Sequence, residues 1–160
     1  MSLAVVHCRA QYGVDAPEVT VEVHLANGLP ALSIVGLAEA AVRESKDRVR
    51  GALLNARFEF PARRITINLA PADLPKDGGR FDLPIAIGIL AASGQIPSDG
   101  LDQYEFAGEL ALTGALRTIR GALPVALKAR HSQRSLILPL GNAAEAALAL
   151  GGKEIGRAHV

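Results

Sequence analysis

Hydrophobic and polar positions alternate with two different periods along this chain, and each switch of period marks an element. Val19, Val21 and Val23 alternate with Thr20, Glu22 and His24, the period of two expected of a half-buried strand. Residues 3–12, carrying Val5 and Val6, read as an earlier strand closed by Gly13 and Pro17. Asn27-Gly28 predicts a hairpin turn, because both residues accept positive φ at little cost, and residues 32–35 return as a short strand. The opening is therefore expected to be an antiparallel meander. From Ala38 the period changes. Val42, Val49, Leu53 and Ala56 fall at helical spacing up to about Asn55, with Glu39–Arg43 and Glu44–Arg48 as i,i+4 pairs on the wet side.

Pro61 ends the next connection, and Ile65, Ile67 and Leu69 alternate with Thr66 and Asn68 as a further strand. APADLPKDGGRFDLP follows, crowded with Pro, Gly and Asp, and predicts an ordered loop with special backbone angles. Asp82 is placed to cap the helix it precedes, with Pro84 in the first turn where a missing amide is harmless. That helix, 83–93, is apolar all round and should be central. Residues 105–112 and 116–119 flank Thr113-Gly114 as a hairpin, 121–130 is helical in pattern, and 136–138 is a short strand. An Ala-rich helix over 142–150 takes Asn142 as its cap. The ending GGKEIGRAHV starts a strand-like segment and stops, so the chain is expected to be part of a longer protein. Together these elements predict an α+β fold of two layers, a mixed sheet with helices on one face.

Composition narrows the chemistry. The chain has 160 residues, 49% of them hydrophobic and 21% charged, which is a globular balance with room for one domain. A net charge of +1 excludes binding of nucleic acid by bulk charge, so any such contact needs a local patch. The lack of tryptophan and 4% aromatic content argue against an aromatic stacking platform. The single cysteine, Cys8, excludes an internal disulfide and fits a reducing compartment. His7, Cys8, His24, His131 and His159 show no metal-ligand spacing, so no metal site is expected. The start lacks a signal-peptide pattern, and the longest apolar stretch is too short to span a bilayer, so a cytoplasmic location without membrane partners is expected.

A triphosphate loop requires glycines followed by Gly-Lys-Ser/Thr, whose amides, ammonium and hydroxyl converge on phosphates and magnesium. Gly151-Gly152-Lys153 comes nearest, but Glu154 replaces the hydroxyl and Ala147 the upstream glycine, so no nucleotide site is assigned. The loop from Lys76 to Asp82 carries two readings. Its glycine amides, with Lys76 and Arg80, can hold an anion at a helix start; equally, it can be a tight turn whose aspartates pair with its bases. Other cations include Arg43, Lys46, Arg48, Arg50, Arg57, Arg63 and Arg64. Those on the first helix alternate with acids and read as a solvated face.

LPKDGGRFDLPIAIGIL, FAGELALTGALRTIRGALPVALKA and the opening SLAVVHCRAQYGVDAPEVTVEVHLANGLPALSIVGL resemble the N-terminal domain of the ComM/YifB family, the magnesium-chelatase-like AAA+ ATPases. The resemblance runs in order through nearly the whole chain. It implies a ribosomal S5 domain 2-like fold, shared with the Lon proteolytic domain, over residues 1–150, with 151–160 beginning the connection toward an AAA+ module. It further implies a DNA branch-migration helicase in natural transformation, assembled as a homo-hexamer, with ATP and Mg bound by the motor and no cofactor in this chain. On this reading the domain organises the hexamer or guides DNA. The alternatives are a Lon-like peptidase domain with a rewired active site, or a chelatase-related subunit. Lon-type catalysis needs a serine and a lysine; the resemblance puts Arg80 and Leu123 at those two positions, so no catalytic residue is assigned. It also implies that Lys76, Arg80, Arg117 and Arg120 converge as a basic rim facing DNA or a neighbouring subunit.

Overall fold

The computed structural model describes residues 2–150; the strand-like segment expected over 151–160 lies outside them. Strands β1 (Ser2–Arg9) and β2 (Glu18–Ala26) pair antiparallel, with Val6 opposite Val21 and Cys8 opposite Val19. The register is fixed by chemistry, because slipping it by one residue would turn every buried valine to the wet face. Strand β3 (Ala31–Val35) departs from the expected meander. It lies parallel to β4 (Arg64–Ala70), and β4 pairs antiparallel with β2, so β4 separates β3 from β2. Asn27-Gly28 is therefore a connection over the sheet end and not a hairpin turn. The hydrophobic pattern matched β3 to a core face but carried no information about which neighbour it would meet.

Between β3 and β4 the expected helix is present in two pieces, α1 (Ala40–Arg43) and α2 (Ser45–Asn55). Helix α3 (Asp82–Ala92) is the buried centre, packed on β1 and β2. Gly88 allows the close approach, since a Cβ there would lie 2.5 Å from a methyl of Val23. Val6, Val21, Val23, Ile67, Leu69, Ile85 and Ile89 share this core with Phe81. Each such side chain contributes about 1.5–3 kcal/mol by leaving water.

The predicted long hairpin is cut at Ala107-Gly108. Strand β5 (Tyr104–Phe106) joins the main sheet, whereas β6 (Glu109–Leu110) and β7 (Leu116–Arg117) form a separate small ladder. After α4 (Ala122–His131), β8 (Ser135–Ile137) completes a six-stranded mixed sheet in the order β3-β4-β2-β1-β5-β8. Helix α5 (Ala143–Ala147) follows. This is the expected α+β mixed sheet with helices, with one addition at the β8 margin. Phe106 and Ile137 pack toward α3, while Leu136 and Leu138 pack with Val125 and Ala129 of α4 in a second cluster. Alternation along the strands thus places α4 across the sheet from α3. Among the described residues no helix is long and apolar enough to cross a membrane.

Candidate functional site

The loop between β4 and α3 is held at both ends before it reaches the surface. Lys76 pairs with the segment after β3 through its backbone, donating to Leu37 O at 3.2 Å and accepting from Glu39 N at 2.9 Å. Its side chain is fully buried, and Nζ donates to the carbonyls of Pro71 and Gly36, the latter at 2.7 Å. Burial pulls its pKa below the ordinary 10.5. Gly78 follows at φ +87°, where a side chain would be strained, and its N–H donates to Asp77 Oδ1 at 2.8 Å. A single 3₁₀ turn, Gly79–Phe81, then drives Phe81 into the core.

Arg80, on that turn, is only 6% exposed. Its Nη2 donates to Gln11 Oε1 at 3.0 Å and to the carbonyl of Arg120, and Nη1 has no partner among the described residues. Burial lowers its pKa below the usual arginine range, opposed by the neighbouring Cys8. The guanidinium thus ties three chain segments together: the end of β1, the loop, and the stretch before α4. Between them lies a cleft of about 520 Å³ whose lining includes Gln11, Asp77, Arg80, Glu109, Thr118 and Arg120. Two acids share it with two bases. Cys8 beneath is buried, and burial pushes its thiol well up, away from nucleophilic use.

The expected four-cation rim does not form. Lys76 is turned inward because its two carbonyl partners lie at the loop's root, so it cannot present its ammonium to a ligand. Arg80 and Arg120 do meet, through the Arg120 carbonyl, and both line the cleft. Arg117 is exposed on β7 opposite Glu109, outside the cleft lining. Leu123 is half-buried in the first turn of α4, where its N–H donates to Glu145 Oε2 at 3.0 Å. Lys128, later on α4, reaches Asp15 at 3.6 Å.

Asp82 is not a helix cap. It is the first residue of α3, fully buried, and makes no capping bond. Its carboxylate instead accepts from Ser45 Oγ, from Arg48 Nε at 2.6 Å and Nη2 at 3.1 Å, and from Leu110 N at 3.0 Å. One carboxylate therefore fastens α2, α3 and β6 behind the cleft. Hydrogen bonding to the Asp82 carboxylate raises the Arg48 pKa. Arg48 keeps its i,i+4 pair with Glu44 at 3.3 Å, but Arg43 bonds Ala38 O instead of pairing with Glu39. Asn142 likewise caps nothing; its amide clasps both the N–H and the carbonyl of Ile119 at 2.9 Å, steadying the segment that carries Arg120.

Sequence reasoning missed Asp82 as a hub, Gln11 and Glu109 as cleft residues, and a buried cluster on the other sheet face. There Arg9 grips Glu105 with bonds of 2.7 and 2.9 Å, and Arg134 joins at 3.2 Å. Arg134 also pairs with Glu18 at 2.6 Å. Arg9 ends a strand and Glu105 lies on a strand 96 residues later, so no local signal connects them.

Residues 21–142 match the family described as Subunit ChlI of Mg-chelatase. The chain is 62% identical over 148 residues to Competence protein ComM of Haemophilus influenzae, covering 92% of this chain and 29% of that protein. It is 58% identical over 148 residues to YifB of Salmonella typhimurium, covering 92% and 29%. With YifB of Escherichia coli the identity is 57% over 151 residues, covering 94% and 30%. The chain therefore spans about three-tenths of the length of these curated relatives.

Proposed function

The chain belongs to the ComM/YifB family of magnesium-chelatase-like proteins, and from that premise we propose that it is the non-catalytic N-terminal domain of a AAA+ DNA branch-migration helicase. Its work is to organise the hexamer or to guide DNA toward the motor, in the cytoplasm. ATP and Mg bind, on this reading, in a module outside these 160 residues, which carry no Gly-Lys-Ser/Thr loop. The observation that carries the non-catalytic part is Arg80. Where the Lon resemblance calls for a nucleophile, a buried guanidinium braces Gln11 against Arg120. Leu123, at the position of the base, offers no proton acceptor. The competence name of the Haemophilus relative supports the DNA-processing part.

A domain exchange tests this. In the Haemophilus relative, deleting the matching segment should abolish ATP-driven movement of a four-way DNA junction, and inserting this chain should restore it. A chimera that hydrolyses ATP but moves no junction overturns the proposal. Cleavage of casein by the chain alone, abolished by changing one serine, would replace it with the peptidase reading.

A further inference from the structure

On the far side of α2 from Asp82 lies a second groove of about 410 Å³, built between the start of β3, α2 and the chain leading into β4. Its lining includes Lys46, Arg50 and Arg63, with Asp47 as the one acid, and its walls include Pro30, Phe60 and Pro61. Lys46 and Arg50 are four residues apart on α2, about 6 Å along its axis. Among the described residues neither forms an ion pair; Arg48, on the opposite side of the helix, pairs with Glu44 and Asp82. Arg63 reaches a hydroxyl, Ser2 Oγ at 3.3 Å, and a carbonyl, Leu25 O at 3.5 Å, and among the described residues pairs with no carboxylate. The Arg50 guanidinium carbon lies over the Phe60 ring, 5.2 Å from its centroid, a cation–π contact at the groove.

We infer that this groove binds a single strand of nucleic acid, with phosphates against Lys46 and Arg50 and a base on the Arg50 guanidinium. Unpaired cations one helical turn apart suit successive phosphates of one strand. A guanidinium plane backed by an aromatic ring is a surface for a flat base, which an acidic peptide does not need. The inference rests on the DNA-processing reading above and moves the contact away from the Arg80 cleft, where two acids oppose two bases.

The test uses this chain and a fluorescein-labelled oligothymidylate, followed by anisotropy over a salt series. Binding through about two phosphates should weaken with salt at a log–log slope of about −1.4. Lys46→Glu with Arg50→Glu should lower affinity at least about tenfold and flatten that slope. Arg50→Lys, which keeps charge and fold but loses the plane, should lower affinity about threefold or more at an unchanged slope. Arg117→Ala with Arg120→Ala should change neither. The inference is overturned if the oligonucleotide does not bind saturably, if polyglutamate competes equally well, or if the Arg117 and Arg120 variants abolish binding while the Lys46 and Arg50 variants do not. A working chimera with no oligonucleotide binding sinks the groove alone. A chimera that moves no junction, with binding intact, sinks the parent reading alone.

Discussion

The Arg80 cleft and the Arg50 groove contain the same kinds of side chain and differ in where the charge is spent. Around the cleft, Lys76 and Arg80 are consumed by backbone carbonyls and Gln11, and Asp77 and Glu109 share the opening. Around the groove, Lys46 and Arg50 have no acidic partner among the described residues, and Phe60 supports the guanidinium. Basic residues in a loop that looks like a binding site can therefore be its scaffolding, while those on an ordinary-looking helix face remain available to a ligand.

That contrast makes opposite predictions for stability and binding. The largest effect should come from Asp82→Ala, which strips the acceptor from Ser45, Arg48 and Leu110 at once. A loss of about 3–4 kcal/mol in urea unfolding is expected, the scale for breaking a buried ion pair. A loss below about 1 kcal/mol would mean the hub does not hold the cleft together. Arg80→Ala should follow at about 2 kcal/mol, from lost charged hydrogen bonds, with oligothymidylate affinity unchanged. Weakened binding in a stable Arg80 variant would return the cleft to the ligand side of the comparison. Lys46→Glu with Arg50→Glu should move the unfolding free energy by no more than about 0.5 kcal/mol, because neither side chain bonds anything buried. A larger loss would make the groove structural as well.

The smallest effect is a pH dependence. Burial holds the folded pKa of Lys76 below 10.5, so between that value and 10.5 the unfolded chain binds more protons than the folded one. Stability relative to Lys76→Met should accordingly rise with pH through that window. A relative fall, measured by thermal melts at several alkaline pH values, would mean that the ammonium is better stabilised in its loop than in water.

Much of the fold was legible because burial writes a local signature. The valines of β2, the Ile-Thr-Ile-Asn-Leu alternation of β4 and the apolar α3 each reveal an element and its inward face. The glycines of the PKDGG loop also announced a special turn, and Gly78 at φ +87° requires one. Pairing was less legible. Asn27-Gly28 looks the same whether the next strand folds back beside β2 or crosses to the far side of β4. Asp82 and Asn142 each sit where a cap belongs, yet each spends its side chain on a segment distant in sequence.

By itself, then, the sequence determined the elements, the buried faces and the family. Each of these depends on residue type and local spacing. Which charges stay free was decided by the tertiary structure. Lys76 and Lys46 are the same residue type in similarly polar stretches, but one meets Gly36 and Pro71 in the interior and the other faces an open groove. A charge is neutralised by whatever the fold brings within about 4 Å, and for Lys76 one of those partners, Gly36, comes from 40 residues away.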